Sequence, residues 1–139
     1  MQVTPYLTYT GQCEEAFKFY EQCFNGKIVM MLTHGEAPTA DQISPDWHKM
    51  IMHARLELDG QALMGSDSPP EYRAEGEEMN GFYVSLSIDD PAEAERIYNA
   101  LAENGKINMP LQQTFWSYRF AMLVDRFGTP WMINCEKES

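Results

Sequence analysis

The sequence predicts an α+β fold made of two tandem βαβββ modules. Three observations carry this expectation. Glu15-Ala16-Phe17-Lys18-Phe19-Tyr20 is matched by Glu93-Ala94-Glu95-Arg96-Ile97-Tyr98, 78 positions later. Gly26-Lys27-Ile28-Val29-Met30 is matched by Gly105-Lys106-Ile107-Asn108-Met109, 79 positions later. The Asp59-Gly60 turn corresponds to the turn from Asp125 to Gly128, after which Met64 falls opposite Met132. Two amphipathic helices can resemble each other by chance. The same Gly-Lys-Ile in register after both helices is poorly explained that way. The expected layout is one domain over 1–139, with module one at 1–67, a linker at 68–80 and module two at 81–139.

Each element follows from local pattern. Val3 to Tyr9 alternates β-formers and reads as a strand, broken by Gly11. From Cys13 to Phe24, Ala16, Phe19, Tyr20 and Cys23 form one apolar stripe at helical spacing. Glu14 and Glu15 favour the helix start, and Asn25-Gly26 supplies a left-handed stop. Lys27 to Thr33 reads as a strand, and the turn chemistry of Gly35 to Trp47 argues against a regular element. Lys49 to Leu58 and Gln61 to Met64 read as strands joined by the Asp59-Gly60 hairpin turn. A polar stretch, Gly65 to Asn80, follows; its acids Glu71, Glu75, Glu77 and Glu78 read as a solvated loop.

In the second half, Phe82 to Ile88 reads as a strand. Asp90-Pro91-Ala92-Glu93 opens a helix, with Asp90 as cap and Glu93 reaching back to the cap amide. Ala94, Ile97, Leu101 and Ala102 form its stripe, and Asn104-Gly105 ends it. Strands are expected from Lys106 to Met109, Phe115 to Val124 and Trp131 to Cys135.

Composition bounds the partners. Hydrophobic residues make up 44% of the chain, enough for a core. The net charge of −11 argues against nucleic acid and against an anionic membrane surface, and it tolerates a cationic ligand. The start, Met1-Gln2-Val3-Thr4-Pro5, lacks the basic segment and apolar run of a secretory signal. Cys13, Cys23 and Cys135 are odd in number and lack paired metal spacing, so they read as reduced thiols in a cytoplasmic protein. Cys13 stands near a helix start, where the dipole would favour a lowered pKa, but it reads first as a plain structural cysteine.

The duplicated order resembles the vicinal oxygen chelate (glyoxalase/bleomycin resistance/dioxygenase) superfamily, and within it the PhnB-like branch. The residues that carry the resemblance are Leu63-Met64-Gly65-Ser66-Asp67, Met109 through Trp116, Arg119-Phe120, Asp125 through Trp131 and Asn134-Cys135. It implies a curved mixed sheet around a concave site, and a homodimer. Members of this branch have carried a methyltransferase label, yet the chain has no glycine-rich strand-to-helix turn for a methyl-donor cofactor.

Metal-dependent members of the superfamily hold a divalent ion with strand-borne His, Gln or Glu. Matching the helix Phe19-Tyr20 puts the first ligand position at Pro5, and the 78-residue offset puts its twin at Tyr83. The remaining positions fall on Met64 and Met132. Proline has no donor, and thioether suits Cu(I) rather than a hard ion. His34, His48 and His53 form no ligand motif. No metal or other cofactor is therefore expected. The leading expectation is a metal-independent binder of a small molecule. Its expected ligand-contacting residues are Tyr83, Met64, Trp116, Tyr118, Arg119, Met132 and His53. Trp116 and Tyr118 are placed on one face by alternation, while Trp116 and Trp131 read first as core or dimer-interface residues. Arg119 beside Asp125 reads equally as an ion pair. Two alternatives stay open. One is a lyase or isomerase with an unconventional metal site or Tyr83 as acid/base, its catalytic residues otherwise unknown. The other is a regulatory module that takes a partner peptide.

Overall fold

The computed structural model describes residues 1–72 and 78–136. Two compact units appear, Met1–Glu77 and Glu78–Ser139. In the first, β1 (Tyr6–Tyr9) leads into α1 (Cys13–Cys23), then β2 (Lys27–Thr33), β3 (Ile51–Leu58) and β4 (Gln61–Asp67). The sheet order is β1-β4-β3-β2, with β1 parallel to β4 and the other pairs antiparallel. The second unit repeats this plan. Its elements are β5 (Val84–Ser87), α2 (Pro91–Ala102), β6 (Lys106–Gln112), β7 (Ser117–Val124) and β8 (Pro130–Glu136). Their sheet order is β5-β8-β7-β6, again with one parallel pair, β5 with β8. These are two four-stranded mixed sheets with the tandem βαβββ order.

One face of each sheet is covered by its helix. In module one, Leu7, Tyr9, Ala54, Leu56 and Leu63 alternate inward and are buried with Ala16, Phe17 and Tyr20 of α1. In module two, Ala121, Leu123, Trp131 and Ile133 are buried with Ala94, Ile97 and Leu101 of α2. Asn25 and Asn104 adopt left-handed backbone, with φ 54° and 58°, and end the two helices. The glycine after each answers a different demand. A Cβ on Gly26 would stand 2.9 Å from the Glu57 carbonyl oxygen, and one on Gly105 would meet the Val124 carbonyl oxygen closer still. The repeated Gly-Lys-Ile thus marks where the chain passes tightly beneath the next strand.

Several boundaries differ from expectation, each for a physical reason. β1 begins after Pro5, which has no N–H for the ladder; its carbonyl accepts from the Met64 amide at 3.1 Å. β4 continues past Met64 through Gly65, where a Cβ would lie 2.9 Å from the Phe17 ring. In the sequence that glycine opens a polar stretch; in the structure it is a packing site. β6 runs on through Pro110, which an edge strand tolerates. The loop after β2 contains three short 3-10 turns, His34–Glu36, Ala40–Gln42 and Pro45–Trp47. The first carries a reciprocal capping pair between Thr33 and Glu36, and these hydrogen bonds hold the Glu36 carboxyl below its usual pKa. In α2, Asp90 caps the Ala92 amide as expected, but Glu93 turns to Arg96 rather than to the cap. Of the acidic loop, Glu71 and Glu78 are exposed, while Glu75 and Glu77 lie outside the described residues.

Candidate functional site

The face of each sheet opposite its helix carries the candidate chemistry. In module one, cross-strand pairing lines up Tyr6, Met64, Arg55 and Met30 in one row. The next positions on that face are Thr8, paired with Ser66, and His53, paired with Leu32. The Tyr6 ring reaches across β4 to stack on His53, with centroids 5.7 Å apart and its hydroxyl 3.2 Å from Nδ1. Arg55 Nη1 donates to Met64 Sδ at 3.6 Å, and its Nε lies 3.6 Å from Glu57. His53 and Met64 therefore share one open face with two residues that the sequence reading did not single out, Tyr6 and Arg55. Alternation from His53 could have found Arg55; Tyr6 needed the parallel pairing of β1 with β4.

The other two histidines are structural. His34 is buried, and its Nε2 donates to the Asp67 carbonyl at 2.8 Å. His48 Nε2 donates to the carbonyls of Ala40 and Ile43 at 2.9 and 3.0 Å. Both pin the loop between β2 and β3.

In module two the equivalent row is Ser85, Met132, Met122 and Met109. The next is Ser87, Asn134, Phe120 and Gln112. Trp116 is 44% exposed and packs edge-on against Phe120, with centroids 5.3 Å apart. It precedes β7, and the ladder shifts register between Ser117 and Arg119, so alternation does not put Trp116 and Tyr118 on a common face. The shift sets Arg119 opposite Cys135, on the helix side of the sheet, and its guanidinium donates to the Tyr118 carbonyl. Arg119 is thereby separated from Met132. Asp125 uses its oxygens on the amides of Phe127 and Thr129 and on Trp131 Nε1, which bonds at 2.8 Å. Trp131 is a core residue, 1% exposed.

The ladders also correct the repeat register. Met64 pairs with Tyr6 and Met132 with Ser85, so β1 and β5 correspond at 79 positions, and the twin of Pro5 is Val84. Tyr83 stands one place further out, with its hydroxyl accepting from Asn108 Nδ2 at 3.0 Å. A divalent metal of the kind the superfamily resemblance implies would meet Pro5, Val84, Met64 and Met132. None offers a hard oxygen or nitrogen donor, so these residues do not fit such an ion. Among the described residues no cluster of three His, Cys, Asp or Glu could hold a metal ion.

Cys13 is a buried structural cysteine, not an activated thiol. Burial first, then the charges of Asp67 and Glu14, push its thiol well above the usual range. The helix start that should have lowered it is already occupied by the Asp67 carboxylate. Asp67 Oδ1 accepts from the amides of Gly11 and Cys13, and Oδ2 from Ile51, all at 2.9 Å. No helix of the described residues is long and apolar enough to cross a membrane.

A protein-family profile described as 3-demethylubiquinone-9 3-methyltransferase matches residues 1–134. Protein PA1353 from Pseudomonas aeruginosa, a crystal structure, is 46% identical with 99% of each chain covered and a TM-score of 0.90. Protein YjdN from Escherichia coli K12 is 34% identical, covering 99% of this chain and 97% of its own. A Bacillus cereus structure described as a putative 3-demethylubiquinone-9 3-methyltransferase, PhnB protein, is 27% identical, covering 97% and 99%, with a TM-score of 0.80. More distant structures from the glyoxalase/bleomycin resistance/dioxygenase and fosfomycin resistance groups, at 11% and 9% identity, share the fold alone.

Proposed function

Because the chain belongs to the PhnB-like family of the glyoxalase/bleomycin resistance superfamily, we propose that it binds a small organic molecule, without a hard divalent metal, as a homodimer. The observation that carries this reading is the open face of module one. Tyr6 on β1 and His53 and Arg55 on β3 flank β4 there, exposed or half-buried. None of the three caps a helix or ties down a loop, as His34, His48 and Asp67 do. A guanidinium beside a stacked phenol–imidazole pair suits a planar ligand with an anionic group. Met64 beneath Arg55 adds polarisable apolar contact. On module two's own sheet, Met132, Trp116, Tyr118 and Tyr83 remain separate candidate contacts, whereas Arg119 lies on the helix side, opposite Cys135. Edge strands β2 and β6 leave Val29, Met30 and Ile107 about half exposed, apolar surface that a second subunit would cover.

The methyl-transfer activity named in the family description gains no support here. The turns into α1 and α2 are Thr10-Gly11-Gln12 and Ile88-Asp89-Asp90, and both helix starts face a carboxylate, Asp67 or Asp90. At each start a carboxylate of the chain itself already takes the place an anionic cofactor group would hold.

Titration with a panel of planar aromatic carboxylates, followed by tryptophan fluorescence and by NMR of His53, tests the proposal. Saturable binding that weakens tenfold or more in both Arg55→Ala and His53→Ala supports it. Binding that both variants leave unchanged, or no binding across the panel, overturns it. A second reading, a lyase or isomerase, is favoured by one observation, the Tyr6–His53 hydrogen bond. Such a pair, a phenol bonded to an imidazole, is a better acid–base candidate than Tyr83, whose hydroxyl accepts from the Asn108 side-chain amide. Turnover of a bound ligand, lost in His53→Gln while binding persists, would select it.

A further inference from the structure

We infer that the methionine row of module two, Met109, Met122 and Met132, is a binding site for a soft monovalent metal ion, Cu(I) or its redox-inert analogue Ag(I). The three residues stand on three adjacent strands and are direct cross-strand partners, Met109 with Met122 and Met122 with Met132. Direct partners project to the same face of a sheet, and neighbouring strands lie about 4.8 Å apart. Ala121 and Leu123, which flank Met122, are buried toward α2, so the row lies on the opposite, open face. All three methionines are half-buried rather than sealed in the core.

Thioether sulfur is a soft, neutral ligand, and soft ligands select Cu(I) over hard divalent ions. The unbranched side chain has three rotatable bonds, so three sulfurs one strand apart can converge on one ion. No ligand has to lose a proton, unlike thiolate or imidazole sites. A second observation points the same way. Asn134 lies two positions beyond Met132 on the same face, and its side-chain Oδ1 is buried without a hydrogen-bond partner among the described residues. That unmet carbonyl acceptor adds negative potential to the face the row occupies. Phe120, 8% exposed, borders the row on β7 and shields it from water. The net charge of −11 raises the local concentration of cations.

Module one supplies the internal control. Its corresponding row is Met30, Arg55 and Met64, in the same ladder positions. A guanidinium occupies the central place and donates to the Met64 sulfur at 3.6 Å. That row holds a cation of its own and repels another. The site inferred in module two does not depend on the small-molecule reading of module one.

Titration of Ag(I) into protein carrying 13C-labelled methionine methyls separates this site from the buried thiols. The methyl signals of Met109, Met122 and Met132 should move together and saturate at one equivalent, equally at pH 6 and pH 8. Zn(II) and Mg(II) should move none of them. Met122→Leu should weaken the response of the other two at least tenfold, with unchanged signals from the remaining methionines reporting an intact fold. If that variant fails to fold, Met109→Leu on the edge strand gives the same test. Arg55→Met should add a second equivalent, read at Met30 and Met64. Silver that leaves the three methyls unmoved, or moves them unchanged in the leucine variants, overturns the inference.

Discussion

The helix of module one is closed by a residue distant in sequence, and that of module two by its own neighbour. Asp67, at the end of β4, accepts from the amides of Gly11 and Cys13 before and at the start of α1, and from Ile51 in β3. It is 2% exposed. In module two the same strand position, counted from the paired Met64 and Met132, is Cys135, and the carboxylate has moved to Asp90 directly ahead of α2. One skeleton thus uses two strategies. A buried carboxylate that joins three segments makes module one's helix start depend on its whole sheet. A local cap leaves module two's helix start independent and leaves its strand end free for a thiol.

The largest expected effect tests that difference. Asp67→Ala strands three amides, those of Cys13 and Ile51 buried and that of Gly11 part-buried, and should cost about 3–5 kcal/mol in urea unfolding. Asp90→Ala removes one exposed cap bond and should cost about 1 kcal/mol. Equal losses would break the comparison. Because Asp67 ties β3 and β4 to α1, its loss should also speed amide exchange at Ile51, which Asp90→Ala should leave unchanged.

The repeated glycines sharpen it next. Gly105→Ala forces a methyl onto the Val124 carbonyl, and Gly26→Ala onto the Glu57 carbonyl at the slightly longer 2.9 Å. Overpacking against backbone that cannot rotate away should cost about 3 kcal/mol at Gly105 and about 1–2 kcal/mol at Gly26. Thermal melts of the two variants check the order. A larger loss at Gly26 would mean that module two yields where module one does not.

The open faces differ as the helix caps do. Module one presents phenol, imidazole and guanidinium; module two presents thioethers and aromatic rings. Most of the fold was legible because it rests on local signals. Asn25-Gly26, Asp59-Gly60, Asp90-Pro91 and Asn104-Gly105 each state a backbone conformation, and the repeat sets them in order. The faces were legible only in part. His53 and Met64 were found from strand position, but Tyr6 and Arg55 join them through pairing between β1, β4 and β3, which no local pattern encodes. Met122 was hidden for the same reason. The register shift at Ser117–Arg119 overturned an argument from alternation, since one extra residue sends every following side chain to the other face. Asp67 lies in the polar stretch that begins at Gly65 and gives no local sign of its role, because a buried carboxylate cap contributes nothing to periodicity.

The smallest expected effect concerns pH and again separates the modules. Burial, with Asp67 and Glu14, raises the Cys13 thiol; burial, with Asp90 and Asp89, raises Cys135, where Arg119 opposes the shift. A raised thiol pKa means that the native state holds its proton after the unfolded chain has begun to lose it. The stabilisation is complete below the unfolded thiol value of about 8.5 and is lost as pH rises above it. A thiol still protonated at pH 10 would lower stability by about 2 kcal/mol relative to neutral pH. Cys13→Ala should therefore flatten the alkaline slope of urea-derived stability between pH 8 and 10. Cys135→Ala should flatten it less, because the Arg119 guanidinium already favours the thiolate there. The slope is the reading to compare, since each variant also loses some packing that is constant with pH. A larger change from Cys135→Ala would show that the cationic side chain of module two does not reach its thiol as its place opposite Cys135 in the ladder implies.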